Sequence, residues 1–205
     1  MKIAKQLPSY FNFITIAILL IVGCTLGNAQ VIDKDGSDFN LSETEAPPII
    51  YWHVKAYHPE ATFMDIKAID EEGNYHDVLV VQDSDDTSVM NVKAFVNGIR
   101  LPVKITLKGS DRYYPVKAID ENGTLIKIKA IAQDGEIMDV KGFSRSGNII
   151  NLRAITKDYK YYDIIAISPL GKVNGVKGIK MLDTEEEAVI NGVPIFAHVK
   201  SLRQN

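Results

Sequence analysis

Val116-Lys117-Ala118-Ile119 begins a phrase that returns, in variant form, about every 12 residues as far as Ile179. Each copy has an aliphatic residue, usually a base, a small residue and a large apolar residue. The later copies are Ile128-Lys129-Ala130-Ile131, Val140-Lys141-Gly142-Phe143, Leu152-Arg153-Ala154-Ile155, Ile164-Ile165-Ala166-Ile167 and Val176-Lys177-Gly178-Ile179. Three earlier copies are Val54-Lys55-Ala56-Tyr57, Ile66-Lys67-Ala68-Ile69 and Val92-Lys93-Ala94-Phe95. A fixed period of this kind is the signature of a repeat architecture.

Polar breaks separate the copies and predict the turns between strands. Each copy lies in a run of about eight residues rich in Val, Ile and Tyr, which is typical of a strand. The breaks, each ending in Gly, are 71–73, 121–123, 133–135, 145–147 and 169–171. Gly in third place predicts a three-residue hairpin loop that ends in a left-handed residue. Asn97-Gly98 and Asn191-Gly192 instead predict two-residue hairpins.

A three-residue loop also fixes which residues face each other. If residues 133–135 form the loop, Lys129 lies opposite Asp139 and Ile128 lies opposite Val140, so like character meets like and a base meets an acid. The same rule predicts the pairs Lys55–Asp65, Lys67–Asp77, Lys141–Asn151 and Arg153–Asp163. A two-residue loop would mix the two faces of the sheet. The three-residue register is therefore expected.

The predicted fold class is all-β, an antiparallel up-and-down meander of strand-and-turn repeats of about 12 residues. With about thirteen strand candidates, an open sheet would curl or split, because open sheets rarely exceed about ten strands. We therefore expect the meander to coil into a barrel or a two-layer sheet. The alternative is a β-solenoid of parallel coils, which would stack Lys upon Lys at about 4.8 Å.

Residues 1–29 have the pattern of a secretory signal peptide. Lys2 and Lys5 precede an almost wholly apolar run at 11–22, and small residues follow at 27–29. The apolar run is short for a spanning helix, which needs about 20 residues. We expect export, with the periplasm, the outer membrane or the outside of the cell as the location.

Cys24, the only cysteine, leaves the processing route open. The sequence at 21–24 resembles a bacterial lipoprotein box, in which Cys24 would become the lipidated N-terminus. Cleavage after Ala29 would instead remove Cys24 with the signal. In both cases no thiol remains for a disulfide or for catalysis, and contact with a membrane is expected only through such a lipid.

After the signal, residues 30–48 read as a disordered acidic linker, because they combine low hydrophobicity with surplus negative charge. Residues 49–205 are enough for one sizeable β-repeat domain. A sub-module seam is expected near 109–110, because an Asn-Gly hairpin followed by a Val-Lys strand occurs on each side of it.

Few residues form a pattern that carries chemistry. Asp83, Asp85 and Asp86 are a weak calcium candidate, since the loop lacks the Gly and closing Glu of an EF-hand. No cofactor is predicted. No metal-ligand spacing links the four histidines, His53, His58, His76 and His198. Phosphate-loop, dinucleotide and serine-nucleophile motifs are absent, so an enzyme that uses carboxylates scattered over several strands is only the third hypothesis.

Tyrosines are the best ligand-binding candidates. Tyr159, Tyr161 and Tyr162, together with Tyr113 and Tyr114, would suit a platform on which sugar rings stack, although alternate tyrosines are also common in plain strands.

The charge balance argues against a nucleic acid as the partner. The formal net charge is −3, and removal of two lysines with the signal makes it −5. Most mid-strand lysines are expected to face Asp or Asn, so no basic surface remains for a phosphate backbone.

The Val-Lys-Ala-Ile repeats behind the Asn28-Ala29-Gln30 junction resemble uncharacterised secreted proteins of the Bacteroidota, a domain of unknown function. The resemblance covers most of the mature chain and implies export from a Gram-negative cell, but it carries over no functional residues. The expected function is an exported, non-enzymatic β-repeat protein that serves as an envelope interaction or structural module with a protein or glycan partner. The alternative is a carbohydrate-binding module that uses the strand tyrosines.

Overall fold

A computed structural model describes residues 47–57 and 63–204. The predicted signal peptide, Cys24, nearly all of the predicted linker, and His58 lie outside the described residues. No helix in the described ranges is long and apolar enough to span a membrane. The described residues form thirteen strands: β1 (Ile50–Tyr57), β2 (Met64–Ile69), β3 (Tyr75–Gln82), β4 (Val89–Val96), β5 (Ile99–Thr106), β6 (Tyr114–Ile119), β7 (Leu125–Ile131), β8 (Ile137–Ser146), β9 (Ile149–Ile155), β10 (Tyr161–Ile167), β11 (Val173–Ile179), β12 (Ala188–Ile190) and β13 (Val193–Arg203).

The strands form one antiparallel sheet, which confirms the predicted all-β meander and excludes the parallel solenoid. The sheet closes on itself in a ring, although not as a regular barrel. Twelve of the strands described here fall into four groups of three, and in each group every strand pairs with the other two. We call these groups trios: the first is β1, β2 and β3, the second β4, β5 and β13, the third β6, β7 and β8, and the fourth β9, β10 and β11.

Six further pairings join the trios, and we call them linking pairs. Within the described ranges they are β1–β10, β2–β7, β3–β4, β5–β6, β8–β9 and β11–β13. Each trio is thus linked once to each of the other three, as the corners of a tetrahedron are. The short β12 pairs with β13. Because nearly every strand has partners on both sides, the shell leaves little open sheet edge.

The trios arise because hairpin strands separate beyond their turns. β7 and β8 pair only from Lys129 to Ile131, and the rest of β7, from Leu125 to Lys127, pairs with β6 instead. The expectation that Ile128 lies opposite Val140 is therefore wrong, since the β7–β8 pairing ends at Lys129 and Asp139 and Val140 lies opposite Ala154. Strand twist explains the separation, because a twisted hairpin diverges and exposes hydrogen-bonding groups that another strand can use.

The linking pairs explain the composition of the repeated phrase. In β2–β7, Ile66 lies opposite Ala130 and Ala68 opposite Ile128, on either side of Lys67 and Lys129. A large residue thus faces a small one twice, and both point into a core that closes around them. The base between them points outward. Five alanines at this small position illustrate the close packing, since each is fully buried: Ala56, Ala68, Ala118, Ala130 and Ala154.

Most of the predicted turns are confirmed. In the loop 133–135, the Ala132 N–H donates to the Glu136 oxygen at 2.9 Å and the Gly135 N–H donates to the Ala132 oxygen at 3.0 Å, while Gly135 has a left-handed φ of 88°. The same pattern occurs at 71–73, 121–123 and 169–171. Both Asn-Gly hairpins also form, with positive φ at both residues.

The expected loop at 145–147 is wrong. Ser146 lies opposite Ile149, so a two-residue turn joins β8 to β9, and the register shifts between Gly142 and Ser144. Lys141 consequently lies opposite Arg153 rather than Asn151. The extra residue of this bulge restores the alternation that the shorter turn would otherwise disturb.

Candidate functional site

The outer surface carries the bases of the repeated phrase, and their surroundings differ from the expected ones. Four predicted ion pairs within trios form: Lys55–Asp65, Lys67–Asp77, Lys129–Asp139 and Arg153–Asp163. Across linking pairs, however, a base often faces another base, as in Lys67–Lys129, Lys104–Lys117, Lys177–Lys200 and Lys141–Arg153. The expectation that most of these lysines simply face Asp or Asn is therefore incomplete.

A cavity of about 480 Å³ opens on the outer surface beside the third trio. Strands β7, β8 and β9 form its floor, and the segments before β6 and before β10 supply its rim. Its walls combine bases, tyrosines and two isoleucines with one carboxylate. The lining residues are Arg112, Tyr113, Lys129, Ile137, Asp139, Lys141, Ile155, Thr156, Lys157 and Tyr159.

The carboxylate of the cavity is already engaged by bases. Burial alone would raise the pKa of Asp139, but the hydrogen bond and charge of Lys129, with the charges of Lys141 and Lys117, hold that pKa below its usual value. Lys141 also approaches Asp111, with 3.4 Å between Nζ and Oδ2. Burial, and then its neighbouring lysines, lowers the pKa of Lys117. The floor of the cavity thus has more positive than negative charge.

Aromatic rings continue from the rim of the cavity. The Tyr113 ring stacks on Phe143 with 4.9 Å between centroids, and Phe143 lies 4.8 Å from the Tyr161 ring. The Tyr113 and Tyr161 hydroxyl oxygens are 3.1 Å apart. The guanidinium of Arg112 lies 5.1 Å from the Tyr113 centroid. Tyr113 is therefore held from three sides, with little freedom left to lose when a ligand binds.

Tyr159 occupies an unusual turn on the opposite rim. The loop 157–159 has the three-residue pattern of the glycine-ended loops, but Tyr159 takes the left-handed place, with a φ of 61°. Thr156 stabilises this turn, because its Oγ1 accepts the Lys160 N–H at 2.9 Å. The Tyr159 side chain is 61% exposed. A bulky residue with positive φ is strained, and strain of this kind tends to occur at functional sites.

The predicted tyrosines are distributed over three environments. Tyr159 lines the cavity, and Tyr161 contacts the Tyr113 ring that borders it. Tyr162 points inward and packs against the core. Tyr114 also points inward, where it stacks on Phe196 with 4.1 Å between centroids. Binding by these tyrosines stays a prediction, and no pattern in the sequence indicates Arg112, Lys141 and Lys157 as their neighbours.

The acidic loop between β3 and β4 holds Asp83, Asp85 and Asp86, all exposed. Asp86 accepts the Ser88 N–H at 2.8 Å, and hydrogen bonds from Ser88 lower the pKa of Asp86. In the described part of the chain, no three His, Cys, Asp or Glu side chains form a group that could hold a metal ion. Calcium binding at this loop stays a prediction.

The described histidines are not gathered in one place. His53 lies in the first trio opposite Leu79, and His198 lies in the second trio opposite Lys104. The His76 ring is 2.7 Å from Asp70 and, with Asn74, lowers the pKa of that carboxyl group to about 2. This last pair fixes the turn between β2 and β3.

These features define a closed all-β repeat protein with a basic and aromatic surface cavity. The chain belongs to the family of unknown function DUF7486, whose model matches residues 48–202. Neither a curated protein nor a solved structure matches the chain.

Proposed function

We propose that this chain is an exported interaction module of the cell envelope that binds an acidic carbohydrate without changing it chemically. Its ligand site is the cavity between Tyr113 and Tyr159. The observation that carries the proposal is the combination, in one cavity of about 480 Å³, of the half-buried Tyr113 and the exposed Tyr159 with a surplus of bases. Cavities of this size class commonly hold small ligands.

The tyrosines favour a sugar over a plain anion. Their rings offer apolar faces with a polar tip, which suits a ligand that has both C–H and hydroxyl surfaces. Tyr113 is preoriented by Phe143, Tyr161 and Arg112. Ile137 and Ile155 add apolar surface to the wall.

The bases favour an acidic group on that sugar. Lys129 pairs with Asp139, and Lys141 approaches Asp111. Arg112 and Lys157 form no ion pair within the described residues. These two rim bases can therefore bind a carboxylate or sulfate on the ligand through charge-assisted hydrogen bonds.

Binding without catalysis agrees with the carboxylate content of the cavity. Hydrolysis of a glycoside normally uses two carboxyl groups about 5 to 9 Å apart. Among the lining residues Asp139 is the only carboxylate, and it is paired with Lys129. The lining thus offers no acid and base pair of that kind.

Export is supported by the signal-like residues 1–29, and the mass of the mature N-terminus tests it. A chain that starts at Gln30, or at a lipidated Cys24, would support the proposal. An uncleaved Met1 in the cytoplasmic fraction of the native host would contradict it.

A Tyr159→Gly variant tests the ligand site cleanly. Glycine adopts positive φ without strain, so this change removes the ring while the turn keeps its conformation. Stacking is worth up to about 1.5 kcal/mol, so we expect roughly tenfold weaker binding to the acidic glycans that bind the unaltered protein on a glycan array. Arg112→Gln should weaken binding of acidic glycans more than binding of neutral ones, which lose only one of the three supports of the Tyr113 ring.

The matched control is Tyr75→Gly, which removes another exposed tyrosine, in β3 and outside the cavity lining. Binding by this variant should equal that of the unaltered protein. An array with no bound glycan, or equal losses in both tyrosine variants, would rule out the proposed site.

A further inference from the structure

The outer face of the second trio differs from the other three. We call the outward-facing residue in the middle of each trio strand its central residue. The residue opposite it on another strand of the same trio is its partner. In the first, third and fourth trios at least one partner is an acid, as in Lys55–Asp65, Lys129–Asp139 and Arg153–Asp163. In the second trio all three central residues are lysines: Lys93, Lys104 and Lys200. Their partners are neutral, namely Pro102, His198 and Asn91.

The three lysines lack any carboxylate partner. The Lys104 Nζ lies 2.7 Å from His198 Nδ1, and the Lys200 Nζ donates to Asn91 Oδ1 at 2.6 Å. Lys93 makes no hydrogen bond or ion pair to any described residue. Within the ranges that the structure describes, no carboxylate lies within 4.0 Å of these three ammonium groups.

The lysines are close enough to affect one another. Burial, followed by the charges of Lys200 and Lys93, lowers the pKa of Lys104 to about 8. Burial and the Lys93 charge lower the pKa of Lys200. Burial and the Lys104 charge lower the pKa of His198 below its usual value, which favours the neutral ring that can accept a hydrogen bond from Lys104.

Residues on the neighbouring strands do not relieve this charge. Lys117 of β6 lies opposite Lys104, and Lys177 of β11 lies opposite Lys200. The acid that acts on His198 is Glu187, but its carboxylate accepts the N–H groups of Met181 and Leu182 at 2.8 and 2.9 Å.

We propose that the outer face of the second trio binds a divalent tetrahedral oxyanion, a sulfate or phosphate group, through Lys93, Lys104 and Lys200. Three ammonium groups, one from each strand of a three-strand cluster, match the three oxygens that such an anion presents. Lysine is a common phosphate ligand as a point charge. Acids or amides at all three partner positions would neutralise or fill this face. The neutral Pro102 and His198 leave it open.

The proposal is independent of the acidic-carbohydrate site, because the two sites share no residue. A protein that binds sulfate at the second trio but no glycan at Tyr159 would refute only the proposed function. A protein that binds a glycan but no sulfate would refute only this inference.

Sulfate titration followed by two-dimensional NMR of the backbone amides tests the site. We expect saturable shifts centred on β4, β5 and β13, and at least tenfold weaker affinity in Lys104→Gln. Asn91→Asp is the sharper variant, because it places an acid beside Lys200 as Asp65 stands beside Lys55. It should weaken sulfate binding at least tenfold while the protein stays folded.

Lys55→Gln in the first trio is the matched control, since it also removes one central lysine. It should leave sulfate affinity unchanged. Equal losses in Lys55→Gln and Lys104→Gln, or unchanged affinity in Asn91→Asp, would overturn the proposal. Fluorescence of the buried Trp52 checks that each variant is folded.

The pH dependence provides a second readout. Sulfate keeps its charge near neutral pH, whereas Lys104, with a pKa of about 8, loses its proton as the pH rises. Affinity should therefore fall between about pH 7 and about pH 9. In Lys104→Gln the affinity should be lower and change less over this range. A flat profile in the unaltered protein would contradict the role of Lys104.

The source of the anionic group is distinguished by two further probes. Inorganic phosphate in place of sulfate tests a free anion. Vesicles of phosphatidylcholine with or without phosphatidic acid test a lipid headgroup. Asn91→Asp should weaken whichever interaction is found at least tenfold. Binding of neither phosphate nor phosphatidic acid would restrict the site to sulfate.

Discussion

The first and second trios have the same backbone pairing but different contents. The first trio consists of three consecutive strands, and the second combines β4 and β5 with β13 from the end of the chain. Outside, the first trio pairs two of its central residues with acids, Asp65 and Asp77. On the inner face, the third position of the repeated phrase, which is usually small, holds Ala56, Ala68 and Val80 in the first trio. In the second trio it holds Ala94, Ile105 and Ser201.

The comparison shows that the repeated phrase specifies how the strands pair. A residue that departs from the phrase must be accommodated by a change elsewhere in the core, or it indicates a role other than folding. Ile105 occupies a position that is small in most strands, and it lies opposite Val116, another large residue. Two glycines compensate by leaving room for it. The methyl carbon of Ile105 lies 3.6 Å from where a Cβ on Gly142 would be, and only 2.3 Å from a Cβ on Gly178.

The largest expected effect is therefore that of Gly178→Ala. The added Cβ would overlap Ile105 and stand 3.0 Å from the Ile150 Cβ, both fully buried. Overpacking of a core typically costs about 1 to 3 kcal/mol, so the free energy of unfolding should fall by at least that much. Urea denaturation followed by the fluorescence of Trp52, the only tryptophan, measures the change.

Gly175→Ala is the control, since it makes the same change three residues earlier in β11. There the added Cβ would meet the end of the flexible Gln204 side chain, which can move. This variant should be close to neutral. Similar losses in both variants would mean that glycine itself, and not the size of Ile105, is what β11 requires at these positions.

Ile105→Val sharpens the interpretation, because it removes the methyl group that approaches Gly178. Alone it should cost about 0.5 to 1.5 kcal/mol. Combined with Gly178→Ala it should restore part of the lost stability, so the double variant should be more stable than the sum of the two single changes predicts. Strict additivity would show that the two positions do not share this space.

Ser201→Ala should give a smaller effect of opposite sign. Ser201 lies opposite Val176 at a position that is alanine in most strands, and its buried Oγ has no hydrogen-bond partner within the described residues. Removal of an unsatisfied buried hydroxyl group should raise the free energy of unfolding by about 1 kcal/mol. A loss of stability in the same urea experiment would mean that the hydroxyl group is satisfied by water.

The first trio also shows how far sequence could predict the fold. The pair Lys67–Asp77 follows from a local turn, because the three-residue loop at 71–73 fixes the partner of every residue near it. The linking pairs have no such signal. β2 pairs with β7, far along the chain, and since every copy of the phrase offers the same large and small residues, any two copies would fit each other equally well.

The candidate site was predictable only in part for the same reason. Tyr159 could be selected from the sequence as an aromatic residue among alternating tyrosines. Its neighbour in the cavity, Arg112, lies in another loop, and the two meet only because β8 and β9 bring the third and fourth trios together. The bulge in β8 that sets this register has no marker in the sequence, because residues 145–147 look like another three-residue loop.

The smallest predicted effect concerns the ion pairs themselves. Asp65→Asn would give the first trio a neutral partner like that of the second, and half-exposed pairs contribute only about 0.2 to 1 kcal/mol. The hydrogen bond and charge of Lys55 lower the pKa of Asp65 below 3.8. The stabilisation is therefore present near neutral pH and is lost as the pH falls below about 4.

Urea denaturation at neutral and at acidic pH measures this difference. At pH 7, Asp65→Asn should be less stable than the unaltered protein by about the amount expected of a half-exposed pair. In acid, the two proteins should have the same stability. Asn91→Asp should do the reverse in the second trio and gain a similar amount at pH 7, because it gives Lys200 an acid. If Asn91→Asp instead destabilises the protein, the neutral partners themselves stabilise the three lysines. The difference between the trios would then serve the stability of the fold and would not indicate a binding site.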